Sequence, residues 1–326
     1  MAIKKAVFII PYFGKFNNYF QLFLNSCACN VEFDWIIFTD DETKYYYPDN
    51  VRVIYCSFDD IQKKFREKFD FEISLDRPYK LCDYKPTYGY IFYDIIKEYK
   101  FWGHCDTDLI WGNINDFICN EDYEKYDKIG IMGHCTLYKN TYENNTSFLK
   151  NLEGKNRAKE VFQTTWNNSF DEEFNQSINN IFEELDKKID YNEYEANIYT
   201  KSSDFKITKL DLKSKKYVVE RKSNSFFIWD NGNLYRYIYI NGKIFKEKYM
   251  YIHMQSREMK VKNNMSYNIF KIIPNAFENI EVEGNIEDNF NIIKKKNFNL
   301  HYFRLRSYNL YDKIRKFFIK YIRRNI

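Results

Sequence analysis

Asp106 and Asp108 stand one residue apart, directly after the apolar run Phe101–Cys105. Two carboxylates spaced this way at a strand end can face one divalent cation, directly or through water. A Mg²⁺ or Mn²⁺ held there would neutralise a diphosphate as it departs. The chain has 46 acidic residues, so a chance Asp-x-Asp serving as a turn or helix cap is the competing reading. Placement favours the metal: the strict pattern occurs once, and Leu109-Ile110-Trp111-Gly112 follows it.

The elements that must carry this pair follow from hydrophobic periodicity. Ala6–Ile10 is a continuous apolar run ended by Pro11-Tyr12-Phe13-Gly14, which reads as a buried parallel strand and a loop. Tyr19–Cys29 has helical spacing. Trp35–Phe38 is a second strand, ended by Thr39-Asp40-Asp41, and Val51–Tyr55 a third. This is the opening of a doubly wound α/β sheet, in which ligands sit beyond the carboxyl ends of the strands. Ile61–Phe69 and Tyr88–Tyr99 read as helices, Tyr79–Pro86 as a loop, Lys128–His134 as a strand, and 141–200 as mostly helical. After about Lys216 the period changes to two. Asn231-Gly232 and Asn241-Gly242 are hairpin turns between strands, so a β-meander is expected.

Five ordered stretches resemble glycosyltransferases of the GT-A fold, within a bacterial group from surface-polysaccharide gene clusters. They are Val7–Gly14, Asp34–Asp41, Tyr79–Gly89, Gly103–Gly112 and Tyr251–Arg257. The resemblance implies a GT-A (Rossmann-like) mixed, mostly parallel sheet flanked by helices. It also implies a nucleotide-sugar donor, with a UDP-sugar favoured, and Mn²⁺ or Mg²⁺ as cofactor. The reaction would be a hexosyl transfer to a saccharide or lipid-linked acceptor. A late histidine then supplies a third metal ligand. His253 matches that place, and imidazole suits Mn²⁺; a packed strand histidine is the alternative.

The same resemblance gives the loops after the first two strands to the nucleoside, which selects Pro11, Tyr12, Phe13 and Asp40; turn duty competes. Asp83, Lys85 and Tyr88 precede the helix before the Asp-x-Asp strand, and a lysine with a stacking tyrosine suits a nucleotide pocket. Arg257 and Lys260 could hold the diphosphate as it gains charge, or could be solvated. An inverting transferase needs a carboxylate to take the acceptor's proton, for which Asp171 and Glu172 are the candidates. The stretch Phe170–Phe174 reads equally as the acidic first turn of a helix. Gly-His-Cys occurs at 103–105 and 133–135, but neighbouring strand residues point to opposite faces, which disfavours zinc.

The domains expected are a catalytic domain over 1–265, an extension over 266–302 and a basic amphipathic tail over 303–326. The tail has eight basic residues and one acidic, a net +7 in a chain whose total is +4. Its apolar residues recur at helical spacing, which fits either a helix on an anionic membrane surface or one packed on the domain. The low total charge argues against nucleic acid as a partner. Seven cysteines without a CxxC pair fit a reducing cytoplasm. Neither a signal peptide nor an apolar run of about 18 residues is evident. The location expected is therefore cytoplasmic, at the inner face of the membrane. Aromatics make up 20% of the chain, which AT-rich coding explains without a ligand. Two other functions compete with this one. A nucleotidyltransferase wants a glycine-rich first loop, and Pro11–Gly14 has one glycine. A non-catalytic carbohydrate-binding protein would account for the aromatics but not for the Asp-x-Asp.

Overall fold

The computed structural model describes residues 4–221, 223–262, 265–296 and 300–322, which fold as a mixed α/β chain. They form two compact units. The first comprises residues up to Phe16, Phe23–Thr107 and Ile114–Glu193. The second comprises Asn17–Leu22, Asp108–Asn113 and the chain from Tyr194 on.

In the first unit, Ala6–Pro11 and Phe33–Thr39 are apolar almost throughout, and such strands are stable only with both faces covered. They pair in parallel, Ala6 opposite Phe33 and Pro11 opposite Phe38. Val51–Tyr55 and Phe101–Cys105 add to either side, also in parallel. Beyond Phe101–Cys105 the direction reverses. Cys135–Lys139 runs antiparallel to it, Lys128–Met132 antiparallel to that, and Ile189–Asp190 closes the seven-stranded sheet.

Two sequence expectations change here. Tyr79–Pro86 is not a loop but a run of helical turns, Pro78–Lys80, Leu81–Tyr84 and Lys85–Thr87, which bury Lys80, Asp83 and Lys85. The helix expected over Tyr88–Tyr99 is two single turns, Tyr88–Ile91 and Tyr93–Ile96, broken at Phe92. Gly89 lets the first of these lie flat on the indole of Trp102, where any Cβ would overlap the ring.

The second unit is built on antiparallel pairing. Ser225–Asp230, Asn233–Ile240 and Lys243–Tyr249 form the expected meander. Both connecting turns are Asn-Gly with positive φ at each residue (44° and 86°, 49° and 85°), the conformation that suits the twist of a two-residue hairpin. The six-stranded sheet continues through Ile269–Ile273 and Ala276–Glu278 to Lys260–Val261. Strands on both sides of residue 265 thus pair with each other. A three-stranded sheet joins Leu109–Trp111, Tyr251–His253 and Glu195–Asn197. A core cluster that includes Ile110, Ile252, Phe227, Trp229 and Phe277 lies in this unit. Gly112 is required where the chain leaves Leu109–Trp111, because a Cβ there would sit 2.6 Å from the carbonyl oxygen of Tyr249.

The expectation of a mostly parallel sheet is therefore corrected. It holds for the strands that open the chain, but antiparallel pairings outnumber parallel ones across the described residues. Hairpins need only two-residue links, whereas parallel pairs need long crossovers, and the second half of the chain is rich in short turns. Leu300–Ile322 is a long helix, three residues earlier in its start than the tail read from sequence; residues 323–326 lie outside the described residues. No helix among the described residues is long and apolar enough to cross a membrane.

Candidate metal centre

Asp108 and His253 are brought together by strand pairing. Leu109 stands opposite His253, and Met254 N–H donates to the Asp108 carbonyl at 3.0 Å. The His253 Nε2 atom lies 3.3 Å from Asp108 Oδ1, and both residues are buried. On the other side, Asn197 pairs with His253 across the parallel ladder, its Oδ1 3.1 Å from His253 Nδ1. That same oxygen accepts from Gln255 Nε2 at 2.7 Å. An amide oxygen can only accept, so Nδ1 carries a proton and Nε2 is the ring nitrogen that faces Asp108. A lone pair facing a carboxylate oxygen is repulsive unless a proton or a cation lies between them. The other oxygen, Oδ2, accepts from the backbone N–H of Ser256, which sits in a turn where Gln255 and Ser256 both have positive φ. Burial pushes the Asp108 carboxyl up, but His253 and the Ser256 N–H outweigh it and hold the group below its ordinary value.

Asp106 belongs to a network in the first unit. Its N–H donates to the His134 carbonyl at 3.0 Å. Lys85 Nζ donates to Asp106 Oδ1 at 2.8 Å and to the Gly133 carbonyl at 2.7 Å, and lies 3.5 Å from Asp171 Oδ2. Burial alone would lower the Lys85 ammonium, yet Asp106 and Asp171 hold it well above its ordinary value. One buried cation therefore links the Asp-x-Asp strand to the Asp171-Glu172 turn. Burial pushes the Asp171 carboxyl up to about 7, against the pull of Lys85. Glu172 Oε2 accepts from the Gly133 N–H at 3.3 Å. Position 133 has no room for a side chain: a Cβ there would overlap Asp171 Oδ2 and come within 3.1 Å of Glu172 Oε2. Residues 170–172 form a turn that precedes the helix Ile178–Glu184, not the first turn of a helix.

Asp106, Asp108 and His253 each offer one ligand atom, and these atoms all lie within 4.8 Å of one another. Two carboxylate oxygens and an imidazole nitrogen fit Mn²⁺ better than Mg²⁺, which prefers oxygen and water.

The remaining sequence candidates divide. Ala6–Pro11 runs parallel to both Phe33–Thr39 and Phe101–Cys105, with Ala6 opposite Phe101 and Phe8 opposite Gly103, so the loops after the first two strands leave the same sheet end as the Asp-x-Asp. Gly14 N–H donates to Asp40 Oδ1 at 2.7 Å, which ties the loops Pro11–Gly14 and Thr39–Asp41 together. Asp40 itself is exposed. Tyr12 stacks on Phe16 at 4.6 Å between centroids, and Phe13 is buried against Phe58.

Asp83 and Tyr88, both read as nucleotide contacts, are buried and engaged within the protein. Asp83 is fully buried, paired with Lys80 at 2.8 Å, and accepts from the backbone N–H groups of Asn168 and Phe170. The Tyr88 ring is enclosed by Phe65 and Phe92, and its hydroxyl donates to the Leu81 carbonyl. Lys85 serves the carboxylates. Arg257 is likewise turned inward: it donates to the Pro274 carbonyl at 2.8 Å and to the Ser202 carbonyl, and lies over Phe205. In these contacts it links two loops. Lys260 is exposed on an edge strand.

Sequence reading missed Asn197, Ser256 and Gly133. Asn197 had no signal of its own, being one asparagine in a polar stretch. Ser256 lies within the Tyr251–Arg257 stretch, and Gly133 within a Gly-His-Cys tripeptide weighed only for zinc. A family model described as a family of unknown function (DUF6625) matches residues 8–281. No curated protein matches the chain.

Proposed function

We propose that the chain, which belongs to DUF6625, a family of unknown function, is a metal-dependent glycosyltransferase of GT-A type acting on a nucleotide-sugar. The observation that carries this reading is the convergence of Asp106, Asp108 and His253, with Lys85 joining Asp106 to the buried carboxylate of Asp171. A divalent cation bound there supplies charge neutralisation for a departing diphosphate. The chain's own residues do the rest. Asp106, Asp108 and His253 hold the cation, with Asn197 orienting the imidazole and Lys85 fixing Asp106. The acceptor hydroxyl oxygen forms the new bond to the anomeric carbon. The bond from that carbon to the diphosphate oxygen breaks, and its electron pair leaves with the nucleoside diphosphate. Asp171 takes the hydroxyl proton, a task that suits a carboxyl raised to about 7.

The test is calorimetric titration of UDP, GDP, CDP and dTDP with and without Mn²⁺, followed by assay of nucleoside diphosphate release from the matching sugar nucleotides. One nucleotide should bind only with Mn²⁺, and Asp108→Asn should abolish that binding while the protein still melts cooperatively. Absence of Mn²⁺-dependent binding for all four, or its survival in Asp108→Asn, would overturn the reading.

A further inference from the structure

The helix Leu300–Ile322 is about 34 Å long at 1.5 Å per residue. None of its described side chains is buried. Leu300, Phe303, Leu310, Tyr311, Ile314, Phe317 and Phe318 are all exposed, Phe317 at 67% and Tyr311 at 65%. At about 100° per residue these seven fall within an arc of roughly 120°. A helix of a folded domain normally buries such a stripe; left open it marks an interaction surface.

The charges say what covers it. Arg306 and Lys313 flank one margin of the arc, Arg304 and Arg315 the other, and all four are exposed. We propose that this helix lies in the surface of an anionic lipid bilayer, its apolar arc among the acyl chains and its cations at the headgroups. A second copy of the chain suits the face poorly. Two such helices laid arc to arc would bring arginines and lysines together along both margins, and residues 303–326 carry eight basic residues against one acidic. Anionic headgroups meet the same margins with opposite charge. The inference is independent of the glycosyltransferase reading, because lipid binding needs neither nucleotide nor metal.

Co-sedimentation of the full chain with vesicles tests it. The protein should pellet with phosphatidylglycerol–phosphatidylcholine vesicles at low salt, stay in solution with pure phosphatidylcholine, and be released at about 0.5 M salt, where screening shortens to a few ångströms. Phe317→Glu with Phe318→Glu should reduce binding by about tenfold or more. Arg304, Arg306, Lys313 and Arg315 changed together to Gln should weaken it comparably. Both variants should keep the wild-type melting temperature, since the altered side chains are exposed. The proposal falls if the wild type stays in solution with anionic vesicles, or if the Phe317→Glu, Phe318→Glu variant still pellets. It falls equally if that variant loses thermal stability, or if sedimentation equilibrium shows a dimer that the same substitutions dissociate.

Discussion

Asn197 and His253 face each other across a parallel ladder, with the amide oxygen of one 3.1 Å from Nδ1 of the other. The contact sets which ring nitrogen is protonated, and so which one can ligate. Partners of this kind typically contribute 10- to 100-fold to metal affinity, in order of magnitude. Asn197→Ala should weaken Mn²⁺ binding by about that factor, and Asn197→Asp should restore it, because a carboxylate accepts the same Nδ1 proton. Titration calorimetry with Mn²⁺ alone reads both, and equal affinity for all three proteins would remove Asn197 from the centre.

Lys85 Nζ lies 2.8 Å from Asp106 Oδ1 and 3.5 Å from Asp171 Oδ2, so one ammonium serves both carboxylates. Lys85→Met leaves both carboxylates with their common partner gone. Breaking a buried pair on one side costs about 3–5 kcal/mol. Urea denaturation should show a loss of that size, and adding Asp171→Asn to Lys85→Met should recover part of it. A loss below about 1 kcal/mol would mean that water replaces the ammonium at no great cost.

Gly133→Ala puts a methyl group where Asp171 Oδ2 now lies. The turn at 170–172 must shift, and overpacking of this kind costs about 1–3 kcal/mol. The larger effect should fall on turnover: displaced by even about 1 Å, Asp171 loses its alignment, for which a 100-fold drop is the expected order. The pair of measurements to compare is the thermal melt and the rate at saturating substrate. A wild-type rate in a protein destabilised by this change would show that Asp171 takes no part in the reaction.

Asp41 gives a pH dependence of clear sign. Burial pushes its carboxyl up, but the Lys15 ammonium at 2.6 Å, the Thr43 hydroxyl and the N–H groups of Phe16 and Thr43 pull harder, and the group sits far below its ordinary value. A depressed carboxylate stabilises the fold above its unfolded value, near pH 4, and that contribution disappears as the pH falls toward the folded value. Asp41→Asn should therefore melt well below the wild type at pH 7, and the gap should narrow between about pH 4 and pH 2. A gap that stays constant with pH would assign the effect to shape and not to charge.

The strands Ala6–Pro11, Phe33–Thr39 and Phe101–Cys105 were legible because strands covered on both faces read as nearly continuous apolar runs, and Val51–Tyr55, at the sheet edge, because β-branched and aromatic residues outnumber its one arginine. The two hairpins were legible because Asn-Gly is nearly alone in fitting their backbone. Ile269–Ile273 and Ala276–Glu278 were not, since short strands take their identity from partners distant in sequence, here Ser225–Asp230 and Lys260–Val261. Of the candidate centre, the ligand types were readable from Asp106, Asp108 and His253. The supporting residues were not: Lys85 and Arg257 look alike in sequence as cations near a phosphate site, and only their burial against carboxylates and carbonyls separates them from solvated ones. The packing of Tyr88 was not readable for the same reason, because a ring closed in by Phe65 and Phe92 is written with the same letter as one open to a base.

The turn that aims the Ser256 N–H at Asp108 holds two successive non-glycine residues, Gln255 and Ser256, at φ of 50° and 55°. Each such residue costs roughly 1–2 kcal/mol relative to right-handed backbone. Selection for heat resistance alone would have installed glycine here. Ser256→Gly should accordingly raise the melting temperature, which a thermal scan can read, while loosening the loop against Asp108. The local sequence thus records a compromise between durability and rigidity, and places this loop among the first positions where a laboratory-evolved, more thermostable version would change.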